Sequence, residues 1–350
     1  MKTVCLILAG GKGTRFWPKS RTKLPKQFLC IDSSGKTLIQ KTVDRISSLV
    51  CIEDIFVVTN EKYKQLVLTQ IGDLPVENVI CEPIGRNTAP AIGLGIKVVS
   101  RKYEDCNMIV LPSDHFVSKE KEYINILNKA LDFVENNDAL ITLGIKPTSA
   151  NVNYGYIHYD DSENNVKKVL NFKEKPDCET ATKYLEDGRY LWNAGMFVWK
   201  LSNIVKALKK YCPQLYDGLC NLDFDDIAYT KKFSLLEPIS IDYAVMEKAN
   251  NIYTIESDIG WDDVGDWDAV ARINGISKEG NTVVGDNVVL NNASNCTVDC
   301  NGKKLVVLSD VNDLLVVETD DVTLVAKKGD SRAIQRLIDE LHNKDKDKYL

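Results

Sequence analysis

The chain has 350 residues, 44% hydrophobic and 27% charged, with a formal net charge of −6. That length is about two average domains and can bury a large core without metal or disulfide staples. The acidic balance argues against a general nucleic-acid binder, and no apolar run approaches the roughly 20 residues of a membrane helix. Neither nucleic acid nor membrane is therefore expected as a partner. Ten cysteines are scattered without a CxxC pair, which reads as reduced thiols of a cytoplasmic protein. The early apolar run 4–9 is followed by glycines and a lysine with no cleavage site, so it is not read as a secretory leader.

In chain order, short Val/Ile/Leu-rich runs at 4–9, 55–59, 108–111 and 140–144 alternate with helical stretches at 37–50, 63–72, 90–101 and 123–136. In the last of these, Ile124, Leu127, Ala130, Leu131 and Val134 recur at helical spacing. Continuous apolar strands alternating with helices predict a Rossmann-like α/β domain, its mixed, mostly parallel sheet covered on both faces. The ligand crevice is then expected beyond the carboxyl ends of the strands. From 150 to 270 the pattern loosens: strands are expected at 155–159, 167–172 and 196–199, and helices at 202–211 and 241–249. After 280 come short β-runs at 282–290, 296–298, 304–308, 314–318 and 322–326. These predict a small all-β module, with barrel, sandwich and short β-helix all open. A helix with an apolar face through Ala333, Ile334, Leu337, Ile338 and Leu341 follows, and the charged tail 344–350 is expected to fray. The expected division is a catalytic domain over 1–275 and the β-module with its helix over 280–350.

The first strand runs into Gly10-Gly11-Lys12-Gly13-Thr14-Arg15. Such a loop can turn sharply and aim backbone N–H groups at an anion. It is not a Walker A loop, since no Gly-Lys-Ser/Thr follows at the required spacing, and Phe16 stands where a dinucleotide fingerprint needs Gly or Ala. Arg15, Lys19, Arg21, Lys23 and Lys26 then cluster in an acidic chain. Alone this would be a solvated basic loop. Beside a glycine turn at a strand's carboxyl end, a polyphosphate is the natural occupant.

Residues 8–28, LAGGKGTRFWPKSRTKLPKQF, resemble the signature of the nucleoside-triphosphate:sugar-phosphate nucleotidyltransferases, and the extended form looks like their mannose-1-phosphate guanylyltransferase branch. Further matches follow in order: Glu82-Pro83 with Arg86-Asn87-Thr88-Ala89-Pro90, Pro112-Ser113-Asp114-His115, Gly155-Tyr156-Ile157, Phe172-Lys173-Glu174-Lys175-Pro176, Trp192 to Phe197, Ser240 to Lys248, and Gly260 to Gly265. The resemblance covers about 1–270 and implies GMP transfer from GTP to α-D-mannose 1-phosphate, giving GDP-mannose and pyrophosphate.

In that reaction one anion attacks another. A unit-charge pair at 4 Å repels by about 1 kcal/mol in water and about 4 kcal/mol at an effective dielectric near 20. Charge compensation and alignment are therefore the main tasks. A sugar phosphate, with a second pKa of about 6, is mostly dianionic at pH 7, so no general base is needed. The nucleotide-binding set is then Ala9, Gly10, Gly11, Lys12, Gly13 and Thr14, with backbone N–H groups on the triphosphate. Arg15 and Lys26 are expected to neutralise the leaving pyrophosphate and the α-phosphate, and Lys175 to hold the sugar's phosphate. Lys19, Arg21 and Lys23 read as local field, solvated rather than catalytic. The resemblance makes Asp114 and Asp263 a carboxylate pair for Mg²⁺, which takes one or two carboxylates plus phosphate and water. Asp262 is an adjacent competitor for that role. Three histidines without ligand spacing make a zinc enzyme unexpected.

A carboxylate at Glu82 suits guanine's N1–H and 2-amino donors, although a loop acid is the plainer reading. Asn87 and Thr88 either cap the following helix or contact the nucleotide. By resemblance Gly155, Glu174, Asn193 and Asp242 hold the sugar. The β-module is read as covering an edge of the catalytic domain or making a homodimer contact. Many relatives carry a further isomerase domain, so ending at 350 leads to an expectation of guanylyltransferase without phosphomannose isomerase activity. The alternatives are a nucleotidyltransferase for another hexose 1-phosphate or NTP, a regulatory paralogue that binds GDP-mannose, and a nicotinamide oxidoreductase, which Phe16 disfavours.

Overall fold

Thr3–Ala9 forms the first strand, β1, and five of its seven side chains are buried. A run with no polar alternation must be covered on both faces, and that places β1 in a sheet interior. The computed structural model describes every residue except 12, 161–163, 301 and 303, and the side chains of 331 and 332. By compactness the chain divides differently from the linear split expected near 275–280. One unit comprises Met1–Gly10, Val43–Ser113 and Val117–Trp261; the other comprises Gly11–Thr42, Asp114–Phe116 and Asp262–Leu350.

The first unit is built on β1, β2 (Ile55–Asn60), β3 (Val79–Glu82), β4 (Asn107–Pro112), β6 (Leu140–Ile145), β7 (Tyr156–Tyr159), β8 (Lys167–Lys173), β9 (Tyr190–Lys200) and β10 (Ile252–Glu256), while β5 (Phe116–Val117) and β11 (Trp261–Asp262) are two-residue strands. Among the described residues the nine longer strands form one sheet, in the order β3-β2-β1-β4-β9-β6-β10-β8-β7. The β3-β2-β1-β4 end is parallel, as the strand–helix alternation predicts. Beyond it the sheet is mixed, because β9 runs antiparallel to both β4 and β6. The helix Glu120–Asn136 buries Tyr123, Ile126, Leu127, Ala130, Leu131 and Val134, so the expected stripe is present with Ile124 at its margin. The expected helix over 241–249 is instead a π-turn, Asp242–Met246. Wider turns of this kind are frequent at functional sites.

The second unit's core gathers Phe16, Trp17, Val264, Trp267, Leu315, Val317, Ile334 and Ile338. The ring of Phe16 lies 5.1 Å from that of Trp267, so the residue that broke the dinucleotide fingerprint is a core anchor. The β-module is a short parallel β-helix. Strands β12 (Thr282–Val284), β14 (Thr297–Cys300) and β16 (Leu314–Glu318) stack in parallel, as do β13 (Val288–Asn291) and β15 (Val306–Ser309). Strand β17 (Thr323–Lys327) closes the stack antiparallel to β16. Asn292, Asn295, Asp310 and Asp313 turn the corners with φ between 49° and 56°, a conformation these side chains tolerate better than most. The Asn292 amide donates to Asp310 over 2.7 Å, and that of Asn295 to Asp313 over 2.6 Å.

Two expectations are corrected here. The tail is docked rather than frayed: the Tyr349 carbonyl accepts from Trp17 Nε1 at 2.7 Å and Arg21 Nη1 at 2.5 Å, and Leu350 packs on the core. Lys19 and Arg21 are structural ties rather than solvated field. Lys19 pairs at 2.6 Å with the buried Asp299, and Arg21 pairs with Asp321 at 2.8 Å. Among the described residues no helix is long and apolar enough to cross a membrane.

Candidate active site

Of the residues expected to handle phosphate and its metal, Lys26, Asp114 and Asp263 meet in the second unit, whereas Lys175 lies in the first. Pro25 stiffens the entry to a 3₁₀ turn, Lys26–Phe28. The Lys26 side chain is carried inward, leaving the residue 6% exposed. Its ammonium donates to the Asp263 carbonyl at 2.9 Å and the Val264 carbonyl at 2.8 Å, and pairs with Asp114 Oδ2 at 2.8 Å. Burial alone would raise the Asp114 carboxyl; the Lys26 ammonium and His115 outweigh it and hold Asp114 below its ordinary range. Asp114 therefore stays ionised at neutral pH.

The neighbouring carboxylates divide their tasks. Asp262 accepts from Arg272 at 2.5 and 3.1 Å and from the Val264 N–H at 2.8 Å, so it serves structure. Val264 is β-branched and held at φ 51°, a strained conformation maintained by those contacts. The Asp263 carboxylate lies over Gly265, where an added Cβ would come within 2.8 Å of it. As oxygen donors, the Asp114 and Asp263 carboxylates have the chemistry that suits a hard divalent cation completing its shell with phosphate and water. Among the described residues no group of three or more His, Cys, Asp or Glu is placed to hold a metal ion without such help. Arg15 is exposed and lines a small crevice with Asp266, Asp268 and Lys327.

Gly13 explains one of the loop glycines. Its φ is 60°, and a Cβ there would overlap that of Lys26. Gly11 is exposed and faces open space, and Lys12 lies outside the described residues. Gly13→Ala is expected to displace Lys26 and lower kcat at least about 100-fold, since an ångström of misplacement can cost that much. Pyrophosphate release measures it, and a loss below about fivefold would contradict the assignment.

The sugar set meets in the first unit. Asn193 Nδ2 donates to Asp242 Oδ1 at 2.9 Å, and the Asn193 N–H donates to the Gly155 carbonyl at 2.8 Å. A Cβ on Gly155 would overlap the Glu174 carboxylate, so only glycine leaves that side chain its place. Burial and the nearby Glu174 carboxylate push Asp242 up to about 7, against the opposing pull of the Asn193 hydrogen bond and Lys175. Lys175, at φ 46°, ends in an ammonium 61% exposed and 3.2 Å from Glu174 Oε1. Two residues escaped sequence reasoning. Glu247 Oε1 accepts the Glu174 N–H at 2.9 Å, and Thr142 Oγ1 donates to Asn193 Oδ1 at 2.7 Å. Glu247 lay within a family motif; Thr142 carried no local signal.

The base candidates also lie in the first unit. Glu82 ends β3, is 4% exposed, and has Oε1 buried without a hydrogen-bond partner among the described residues. Its Oε2 would lie 3.4 Å from a Cβ on Gly10. Burial pushes its carboxyl up to about 7, partly offset by the Arg86 backbone N–H. Ala9 is buried and its carbonyl accepts from Thr59 Oγ1 at 2.8 Å. Asn87 caps the helix Thr88–Lys102, with its side chain accepting from the Thr88 N–H at 2.8 Å. Thr88 Oγ1 accepts the Ile241 N–H at 2.9 Å, which ties that helix to the segment leading into Asp242.

A buried lysine ion-paired with Asp114 in the second unit, and in the first a polar cluster around Asn193 and Asp242 and a buried acid at Glu82, are groups that an enzyme acting on phosphorylated molecules can use. The sequence profile of the family described as Nucleotidyl transferase matches residues 4–279, and the chain belongs to that family. Among curated relatives, a mannose-1-phosphate guanylyltransferase of Salmonella montevideo is 36% identical over 96% of this chain and 73% of its own. The solved structure of a Thermus thermophilus protein described as mannose-1-phosphate geranyltransferase is 30% identical, with a TM-score of 0.89 over 98% of this chain and all of that one. A Helicobacter pylori structure described as mannose-6-phosphate isomerase is 28% identical, with a TM-score of 0.62 over 75% of this chain and all of that one.

Proposed function

We propose that the chain transfers GMP from GTP to α-D-mannose 1-phosphate, releasing pyrophosphate and GDP-mannose, and that it works in the cytoplasm. The observation that carries this reading is the polar cluster of Gly155, Glu174, Asn193 and Asp242, built into a chain similar along nearly its whole length to a mannose-1-phosphate guanylyltransferase. Glu174, Asn193 and Asp242 have the chemistry to hold hexose hydroxyls. Lys175, exposed and lightly tethered, would hold the sugar's phosphate.

One phosphate oxygen of the sugar phosphate forms a bond to the α-phosphorus of GTP as the bond to the β-phosphate oxygen breaks. Pyrophosphate departs in line with that attack. The dianionic acceptor needs no base. Backbone N–H groups of the Gly10–Thr14 loop would receive the triphosphate, and Lys26 and Arg15 would offset charge on the α-phosphate and the leaving group. Asp114 and Asp263 would hold Mg²⁺, which supplies charge neutralisation to phosphate oxygens. Glu82 would accept guanine's N1–H and 2-amino hydrogens.

The test is pyrophosphate release from GTP plus mannose 1-phosphate, with and without Mg²⁺, against a panel of other NTPs and sugar 1-phosphates. Turnover is expected to need Mg²⁺, and Asp114→Asn is expected to lose at least about 100-fold, in line with removal of one charge-stabilising group. Faster turnover of another pair would replace the substrate assignment. Release that is indifferent to both Mg²⁺ and Asp114 would sink the metal reading. Because one similar structure is described as an isomerase, interconversion of mannose 6-phosphate and fructose 6-phosphate belongs in the same panel, with none expected.

A further inference from the structure

Asn193 sits where the β6–β9 ladder breaks. Thr142 pairs with Phe197 and Gly144 with Asn193, so one residue on β6 opposes three on β9. The surplus on β9 bulges through Gly195, at φ 67°. Bulges beside functional sites re-aim side chains, and this one aims the Asn193 amide.

The orientation of that amide follows from its donors. The Gly195 N–H reaches Asn193 Oδ1 at 3.0 Å, and a backbone N–H can only donate. The oxygen therefore faces the bulge, and Nδ2 is left to donate to Asp242 Oδ1. Thr142 Oγ1 adds a second donor to the same oxygen, at 2.7 Å. Thr142 is 0% exposed, in a strand whose neighbours are Ile141 and Leu143. A valine would fill that space without the cost of burying a hydroxyl. The hydroxyl's alternative acceptor, the Met196 carbonyl, is farther away at 3.4 Å.

We propose that Thr142 is a positioning residue for the sugar pocket: without touching the ligand, it clamps the Asn193 amide by its oxygen, so that the amide nitrogen holds one oxygen of Asp242 and leaves the other for a hexose hydroxyl. This rests on the reading of the pocket given above and adds a determinant of sugar-phosphate affinity that lies behind it.

Steady-state pyrophosphate release by the full chain tests it, varying mannose 1-phosphate at saturating GTP and then the reverse. Thr142→Val is expected to raise KM for mannose 1-phosphate about tenfold, the scale of one hydrogen bond. KM for GTP should change by no more than about twofold, and Thr142→Ser should restore the sugar-phosphate KM. A wild-type sugar-phosphate KM in folded Thr142→Val overturns the inference, and so does a Ser variant no better than Val. Should the Val variant fail to fold, Thr142→Ala compared with Thr142→Ser gives the same readout. If the unsubstituted chain turns over other sugar phosphates but not mannose 1-phosphate, the substrate reading fails, and the Thr142 comparison proceeds with the sugar phosphate that is used. If no sugar phosphate is used, both fall.

Discussion

Lys26→Met is expected to lower kcat/KM for GTP at least about 1,000-fold, the upper range for loss of a single charge-stabilising group. The ammonium does two things. It would face a reaction in which negative charge gathers on the leaving pyrophosphate, and it also organises the carboxylates read as metal ligands. Its hydrogen bonds to the Asp263 and Val264 carbonyls fix the turn that carries Asp263, and its ion pair fixes Asp114. Methionine keeps most of the length of the side chain and removes all three interactions. Buried carbonyls without donors cost about 1–3 kcal/mol each. Stability should therefore fall as well, and urea unfolding must accompany the kinetics. A folded Lys26→Met chain retaining more than about a tenth of wild-type kcat/KM would remove Lys26 from the proposed chemistry.

What the sequence disclosed, and what it hid, follows the range of the interactions. Strand β1 is legible because burial on both faces writes a continuous apolar run. The glycine loop is legible because φ 60° at Gly13 leaves little choice of residue. The β-module stayed open among three architectures, although an 18-residue spacing relates Val288 to Val306 and Thr297 to Leu315. That period shows only once the corner residues Asn292/Asp310 and Asn295/Asp313 are seen as equivalent, and polar corners look like ordinary turns. The division of the chain was illegible for another reason. Trp17 with Tyr349 and Lys19 with Asp299 are pairs 332 and 280 residues apart, and neither partner carries a local pattern announcing the other. Thr142 is hidden in the same way: one hydroxyl in an apolar strand has no period.

Glu82 supports the second large prediction. With its carboxyl pushed up to about 7 from an ordinary 4.5, the folded chain holds a proton there that the unfolded chain releases. The native state binds more protons between those two values, so stability falls as pH rises from about 4.5 to 7 and the loss is complete above 7. About 2.5 pKa steps correspond to a cost on the order of 3 kcal/mol at pH 8. Glu82→Gln does not titrate. It should match the wild-type chain near pH 5 and melt several degrees higher at pH 8 without nucleotide. The same substitution should cost function, because one amide oxygen cannot accept both guanine donors and the amide NH₂ opposes one of them. Two hydrogen bonds to a charged group, at about 1.5–3 kcal/mol each, predict a loss of about 100-fold or more in kcat/KM for GTP, with a smaller change for ATP or dTTP. GTP should also stabilise the wild-type chain more than the variant, since guanine supplies the donors that Oε1 lacks. Melting curves from pH 5 to 8, with and without GTP, and a base panel read all of this. Parallel pH–stability curves would mean that Glu82 is not held protonated, and an unchanged preference for GTP would mean that the base is read elsewhere. A variant that gains stability while losing guanine recognition would show why one oxygen of a buried acid is left without a partner at the end of β3: it is kept for the ligand.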